Sequence, residues 1–138
     1  EIGLLALTNN LRIGGSDDAK GYGGFSVRMK IPASVAFTGP EGRVEPLVTQ
    51  VESPGWVNIA GSSSIPGNSY GITILDHPLN PGFPQPWILR KQKSMQNVAF
   101  PGRMPIKLSQ DTPLYLRYSL IIHNGNVKSK TIKRWVKK

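Results

Sequence analysis

Asp76 and His77 form the one place in the chain where a carboxylate adjoins an imidazole, inside the stretch GITILDHPLNPGFPQPWILR at residues 71–90. Such a pair can do general acid–base work, the acid orienting the ring and the ring moving the proton. It opens an eleven-residue connection, 76–86, that also holds Asn80 and prolines at 78, 81, 84 and 86 and leads into Trp87 and Arg90. Each proline fixes φ at about −65° and removes a donor, so the connection holds its polar side chains in place. Stiffness of this kind suits a binding site. It suits a rigid structural crossover equally well, in which Asp76 and Asn80 cap turns and His77 is a satisfied, partly buried histidine.

Other chemistries fail on spacing. The segment GGSDDAKGYGG at 14–24 is glycine-rich and contains Lys20, but it lacks the G-x-x-x-x-G-K-[ST] pattern and runs into a strand-like segment, so a mobile turn is expected there and not a phosphate cradle. No G-x-S-x-G elbow occurs, and Ser62-Ser63-Ser64 has no histidine nearby in sequence, which argues against serine hydrolase chemistry. The two histidines, His77 and His123, fall in neither an H-x-H nor an H-x-x-x-H arrangement; no metal and no cofactor is expected. Asp17 and Asp18 are adjacent, so on an extended chain they point to opposite sides. With no cysteine, disulfides and thiolate chemistry are excluded.

The elements that must position these residues read as β. At 138 residues the chain fits one domain, 1–138, with enough length to bury a core. Fifteen glycines and twelve prolines punctuate short runs rich in Val, Ile, Tyr and Phe. In GFSVRMKI, Phe25, Val27, Met29 and Ile31 alternate with Ser26, Arg28 and Lys30, the period of a half-buried strand. PLYLRYSLIIH alternates likewise, Leu114, Leu116, Tyr118, Leu120 and Ile122 forming one face. Further strands are predicted at 3–7, 43–52, 55–60, 70–75 and 86–90, with Trp56 in the core, and turns at 39–42, 65–71 and 123–126.

The net charge of +9 is concentrated at one end. The last twelve residues carry six basic groups and no acid, leaving eleven basic against eight acidic groups, a net of +3, in the remainder. Ile132, Trp135 and Val136 are spaced i, i+3, i+4, so the tail predicts a short helix docked by one apolar stripe, with Ser129 or Thr131 available as N-cap. Its lysines then form a solvated face, and nucleic acid is not the expected partner. The opening EIGLLALTNN has too short an apolar run for a membrane span and no basic region of the kind a signal peptide carries. An apolar strand starting at residue 2 wants a partner, so the functional unit is expected to include a further half or a partner chain.

GYGGFSVRMKIP, FTGPEGRVEP, GWVNIAG, GITILDHPLNPGFPQPWILR, SMQNVAFPGR and LRYSLIIHNG together resemble the C-terminal half of a bacterial family labelled methane-oxygenase-PmoA-like. The family's N-terminal half includes a histidine-rich stretch that has no counterpart here. The resemblance implies an antiparallel β-sandwich, half of a larger one, that is secreted or periplasmic and carbohydrate-related. It carries no copper chemistry, since nothing in this sequence could span a bilayer as a helix. On that footing the 76–90 segment becomes a candidate sugar site. Asp76, His77 and Asn80 would meet hydroxyl groups, and a pyranose C–H face would pack on Trp87. Two functions are then expected. One is a glycoside-processing hydrolase, with His77 as general acid–base oriented by Asp76 and with Arg28, Asn80 and Arg90 gripping substrate; the other is a non-catalytic glycan-binding or structural module.

Overall fold

The computed structural model describes every residue except 31, 33, 63, 66, 93, 94, 137 and 138. Twelve strands and one helix are described: β1 (Ile2–Leu4), β2 (Arg12–Ile13), β3 (Gly24–Arg28), β4 (Ala36–Gly39), β5 (Gly42–Arg43), β6 (Trp56–Ser62), β7 (Ser69–Asp76), β8 (Trp87–Ile88), β9 (Met95–Ala99), β10 (Ile106–Lys107), β11 (Leu114–Leu116), β12 (Tyr118–Asn124) and α1 (Ser129–Trp135). All pairing is antiparallel. A five-stranded sheet runs in the order β12-β7-β6-β4-β5 and a three-stranded sheet in the order β3-β9-β8, while β1 pairs with β11 and β10 with β2.

Side chains alternate across a strand, so the register says which residues share a face. Phe37, Ile59, Ile72 and Ile122 stand in one row across β4, β6, β7 and β12, and Val57, Ile74 and Leu120 in the next, ending at the pair Asp76 and Tyr118. On the small sheet Val98 lies between Phe25 and Trp87. The main core joins these two surfaces: Phe37, Val57, Ile59, Ile72 and Ile74 from the large sheet meet Trp87, Leu89 and Val98, with Phe25, Val27 and Tyr118 at its margin. This is the layer packing of a β-sandwich. At the β12 edge the large sheet overhangs, so Leu120 and Ile122 are exposed although they share a face with the core.

The other face of the large sheet is covered too. Trp56, Leu75 and Ile132 form a second buried cluster, with Ile121, Val127 and Trp135 packed on it, so α1 lies against the outer face of β6, β7 and β12. Burial on both faces is why six consecutive residues of β6, the polar Asn58 among them, are buried without alternation. The N-cap of α1 is Lys128 and makes no side-chain cap bond, so Ser129 starts the helix and neither it nor Thr131 caps it. Val136 stands exposed, so the docking stripe is Ile132 and Trp135. No described helix is long and apolar enough to cross a membrane.

Five expected strands differ: the one predicted at 3–7 is strand over Ile2–Leu4, the one at 86–90 over Trp87–Ile88, and three depart further. The segment predicted at 43–52 contributes Arg43 to β5 and one isolated bridge, Val51 to Trp87. The strand predicted through Ile31 ends at Arg28, and Ile31 lies outside the described residues. The run 114–123 is two strands broken at Arg117, for a reason that lies in the 76–86 connection.

Candidate functional site

The polar residues of the connection are bonded to one another and to the sheet. Asp76 ends β7, is 2% exposed, and faces inward beside Tyr118. Its Oδ1 accepts from Asn80 Nδ2 at 2.7 Å and its Oδ2 from the Gln85 backbone N–H at 3.1 Å, so one carboxylate closes both ends of the loop. Asn80, 4% exposed, also donates from Nδ2 to the Arg117 carbonyl at 2.7 Å and accepts from the Arg117 N–H at 2.6 Å. An amide side chain thus mimics a neighbouring strand, and Arg117's backbone groups are withdrawn from the β11–β12 run. The His77 N–H adds a further bond to the Arg117 carbonyl at 3.3 Å. Two turns, Asn80 N–H to His77 C=O and Phe83 N–H to Asn80 C=O, with Gly82 at φ 73°, shape the interior of the loop.

Burial pushes the Asp76 carboxyl above its ordinary value, against the opposing hydrogen bonds from Asn80 and Gln85. Burial, with the Asp76 charge adding to it, pushes Tyr118 up to about 12, and the phenol oxygen has no hydrogen-bond partner among the described residues. A buried acid with a raised pKa can mark a catalytic site, but here it holds a crossover together and is closed to solvent.

The remaining expected site residues fall in different places. Trp87 is wholly buried in the main core, its indole N–H donating to the Ser53 carbonyl at 2.8 Å; it offers no face to a sugar. His77 is exposed, and its Nδ1 accepts from the Leu79 N–H at 3.1 Å, so the expected partial burial does not hold. Arg28 is exposed at the end of β3, on the face opposite Phe25 and Val27. The structure therefore brings Asp76 and Asn80 together, in the geometry of turn caps, and leaves Arg28 and Trp87 out of reach of a common ligand.

Arg90 belongs to another surface. Its Nη1 donates to the carbonyls of Leu47 and Leu89, both at 2.8 Å, and its Nη2 to Tyr22 Oη at 2.8 Å and the Val48 carbonyl at 3.0 Å. The fully buried Gln96 fixes Arg90's backbone, accepting from its N–H at 3.0 Å and donating to its C=O at 2.9 Å. The guanidinium cation lies 5.8 Å from the Tyr22 ring centre, and Lys20 Nζ lies 5.9 Å from it. These side chains, with Pro46, Leu47, Val48, Leu89 and Lys91, line a groove of about 390 Å³.

Lys20 and Tyr22 were not among the expected site residues, because GGSDDAKGYGG reads as a mobile turn. It is instead a bonded loop. Asp18 Oδ1 accepts from Ser16 Oγ at 2.9 Å, the Lys20 N–H at 2.8 Å and the Gly21 N–H at 3.1 Å, and Ser16 Oγ accepts the Tyr22 N–H at 2.9 Å. The Lys20 N–H and the Ser16 hydroxyl hold the Asp18 carboxyl below its ordinary range. Gly21 takes φ 58°, and a Cβ on Gly15 would come within 2.2 Å of the Tyr22 carbonyl, so these glycines serve a tight loop. The signal available in sequence was the Ser-x-Asp pair ahead of Lys-Gly-Tyr, an Asx-turn pattern.

The second histidine lies on the α1 side of the large sheet. His123 Nε2 lies 2.8 Å from Asn58 Oδ1, which also accepts from Thr73 Oγ1 at 2.9 Å, and the ring sits tilted 6.4 Å from Trp135 of α1. Burial holds its pKa below the usual histidine value. No group of three or more His, Cys, Asp or Glu able to hold a metal ion occurs among the described residues.

No curated protein and no solved structure matches the chain. A family model described only as a family of unknown function matches residues 1–137, nearly the whole chain, and assigns it no chemistry. With that coverage, the protein belongs to the family of unknown function DUF6807.

Proposed function

We propose that the chain is a non-catalytic, carbohydrate-related β-sandwich module that meets its ligand outside the cytoplasm. One observation carries the choice against a hydrolase: the carboxylate and amide of the 76–86 connection are spent on each other, on Gln85 and on Arg117. A general acid–base pair must present its proton to a substrate, and Asp76 at 2% exposure orients neither a ligand nor His77. The carbohydrate side of the reading draws on the resemblance of the six motifs, which implies a carbohydrate-related protein. Calorimetry of the domain with a panel of mono- and oligosaccharides, run beside a reducing-end release assay, tests it. Saturable binding without turnover is expected. Turnover that is lost in His77→Ala would overturn the non-catalytic assignment, and a panel without a binder would overturn the carbohydrate assignment.

A further inference from the structure

We propose that the groove around Tyr22 is an anion site, and that it takes a uronic-acid residue of an acidic glycan. This rests on the carbohydrate reading above and names its ligand class. The first ground is charge. Among the described residues Arg90 bonds neutral acceptors alone, three carbonyls and a phenol oxygen, so its guanidinium charge is held in place without being cancelled. Lys20, also beside the Tyr22 ring, has no carboxylate within ion-pair distance among the described residues; Asp18, which shapes its loop, bonds its backbone N–H and reaches the ammonium only through its charge. Lys91, the third cation, is paired with Glu45 at 3.1 Å, an acid it shares with Arg43. Three cations thus line the groove and no acid does, Glu45 reaching Lys91 from outside the lining, and partial burial of Arg90 and Lys20 strengthens their field.

The second ground is the lining. Leu47 and Val48 stand 56% and 78% exposed at the groove, and the half-buried Tyr22 ring contributes further carbon surface above a floor made by the buried Leu89. A ligand that is only an anion would leave this surface wet; a pyranose carries C–H faces that cover it while its carboxylate meets the ammonium groups. The volume, about 390 Å³, lies at the lower end of the range for small-molecule sites and suits one sugar residue at a chain end or within a chain. Four of Arg90's five N–H donors are occupied, so Arg90 is a positioning residue and a source of field, and Lys20 and Lys91 are the groups that touch the carboxylate.

The test is calorimetry of the intact domain with glucuronate, oligogalacturonate and oligoglucuronate, and with the neutral galacto- and gluco-oligosaccharides of the same length. Binding of the acidic sugars at least ten-fold tighter than the neutral ones is expected. Lys20→Gln should weaken it about ten-fold with an unchanged melting temperature, and Lys91→Gln should weaken it less, since Glu45 already occupies that ammonium. Binding of free glucuronate beside the oligomers would mark a single-residue site, and oligomer binding alone a site within a chain; both support the groove. The charged tail is the competing anion surface, and a Lys130→Gln, Lys133→Gln, Arg134→Gln variant separates it. If that variant abolishes uronate binding while Lys20→Gln does not, the groove assignment falls. Binding of neutral but not acidic sugars also overturns it and leaves the glycan-binding reading standing; no binding of either kind overturns both.

Discussion

Asn80→Ala removes the clamp between the 76–86 connection and Arg117, and its cost follows from three bonds. The bond from Nδ2 to Asp76 is to a buried carboxylate, a class worth about 1.5–3 kcal/mol. The two bonds to the Arg117 backbone are worth about 0.5–1.5 kcal/mol each, and less here because Arg117 is only half-buried and water can replace them. The Arg117 carbonyl keeps the His77 N–H and Asp76 keeps the Gln85 N–H, which limits the loss. We expect a cost of about 3 kcal/mol, or a fall of about 10 °C in melting temperature for a domain of this size. Thermal melts followed by circular dichroism measure it. The sign of the pH dependence is fixed by Asp76, whose folded pKa is raised by burial. Its contribution is fully present below the unfolded carboxylate value and lost as the pH rises through the folded one. Loss of the Asn80 donor raises the folded pKa further, so the penalty should be larger at neutral pH than at about pH 4. A fall of less than about 3 °C, or a penalty that grows on acidification, would refute the clamp.

Further outcomes are expected elsewhere. His77→Ala should cost no more than about 0.5–1 kcal/mol, because the exposed ring gives up one bond from the Leu79 N–H, and should leave glycan binding unchanged; a titration by calorimetry with a melt of the same sample checks both. Ile132→Ala should cost about 2–5 kcal/mol in denaturant melts, since this wholly buried side chain docks α1 on Trp56 and Leu75. His123 has a lowered folded pKa, so its contribution is complete above the unfolded histidine value of about 6.5 and is lost as the pH falls through the folded value. His123→Gln should flatten the stability profile in that acid window, and NMR titration of the ring should place its pKa below that of a free histidine.

The sandwich was legible in sequence because period-2 alternation in β3 and β12 and the Gly/Pro punctuation are local signals. The tail helix was legible for the same reason, through the spacing of Ile132 and Trp135. The break at Arg117 was not, since it comes from an amide thirty-seven residues away. Nor was the interior position of Trp87, which is set by a bridge to Val51 and a sheet partner at Val98. Asp76 and Asn80 were found as a pair, but sequence could not say whether their hydrogen-bonding capacity would be turned outward to a ligand or inward to Gln85 and Arg117. Arg90 is recognisable in sequence by its type alone. Its groove is not legible in sequence, because the Lys20–Tyr22 loop and the 46–48 segment converge on it from two distant parts of the chain.

The large sheet is covered on both faces at its centre and on one at its β12 edge, which grades the molecule by how easily each part opens. Breathing of β12 exposes little new carbon, because Ile122 is already 79% in water, whereas β6 and β7 cannot part without uncovering both the main core and the helix-side cluster. Amide deuterium uptake should therefore run from fast at the outward edge of β12 to slow in the middle of β6 and β7. The slow amides of that central pair report global unfolding, and they form the frame from which the connection bearing Asp76 and Asn80 is hung.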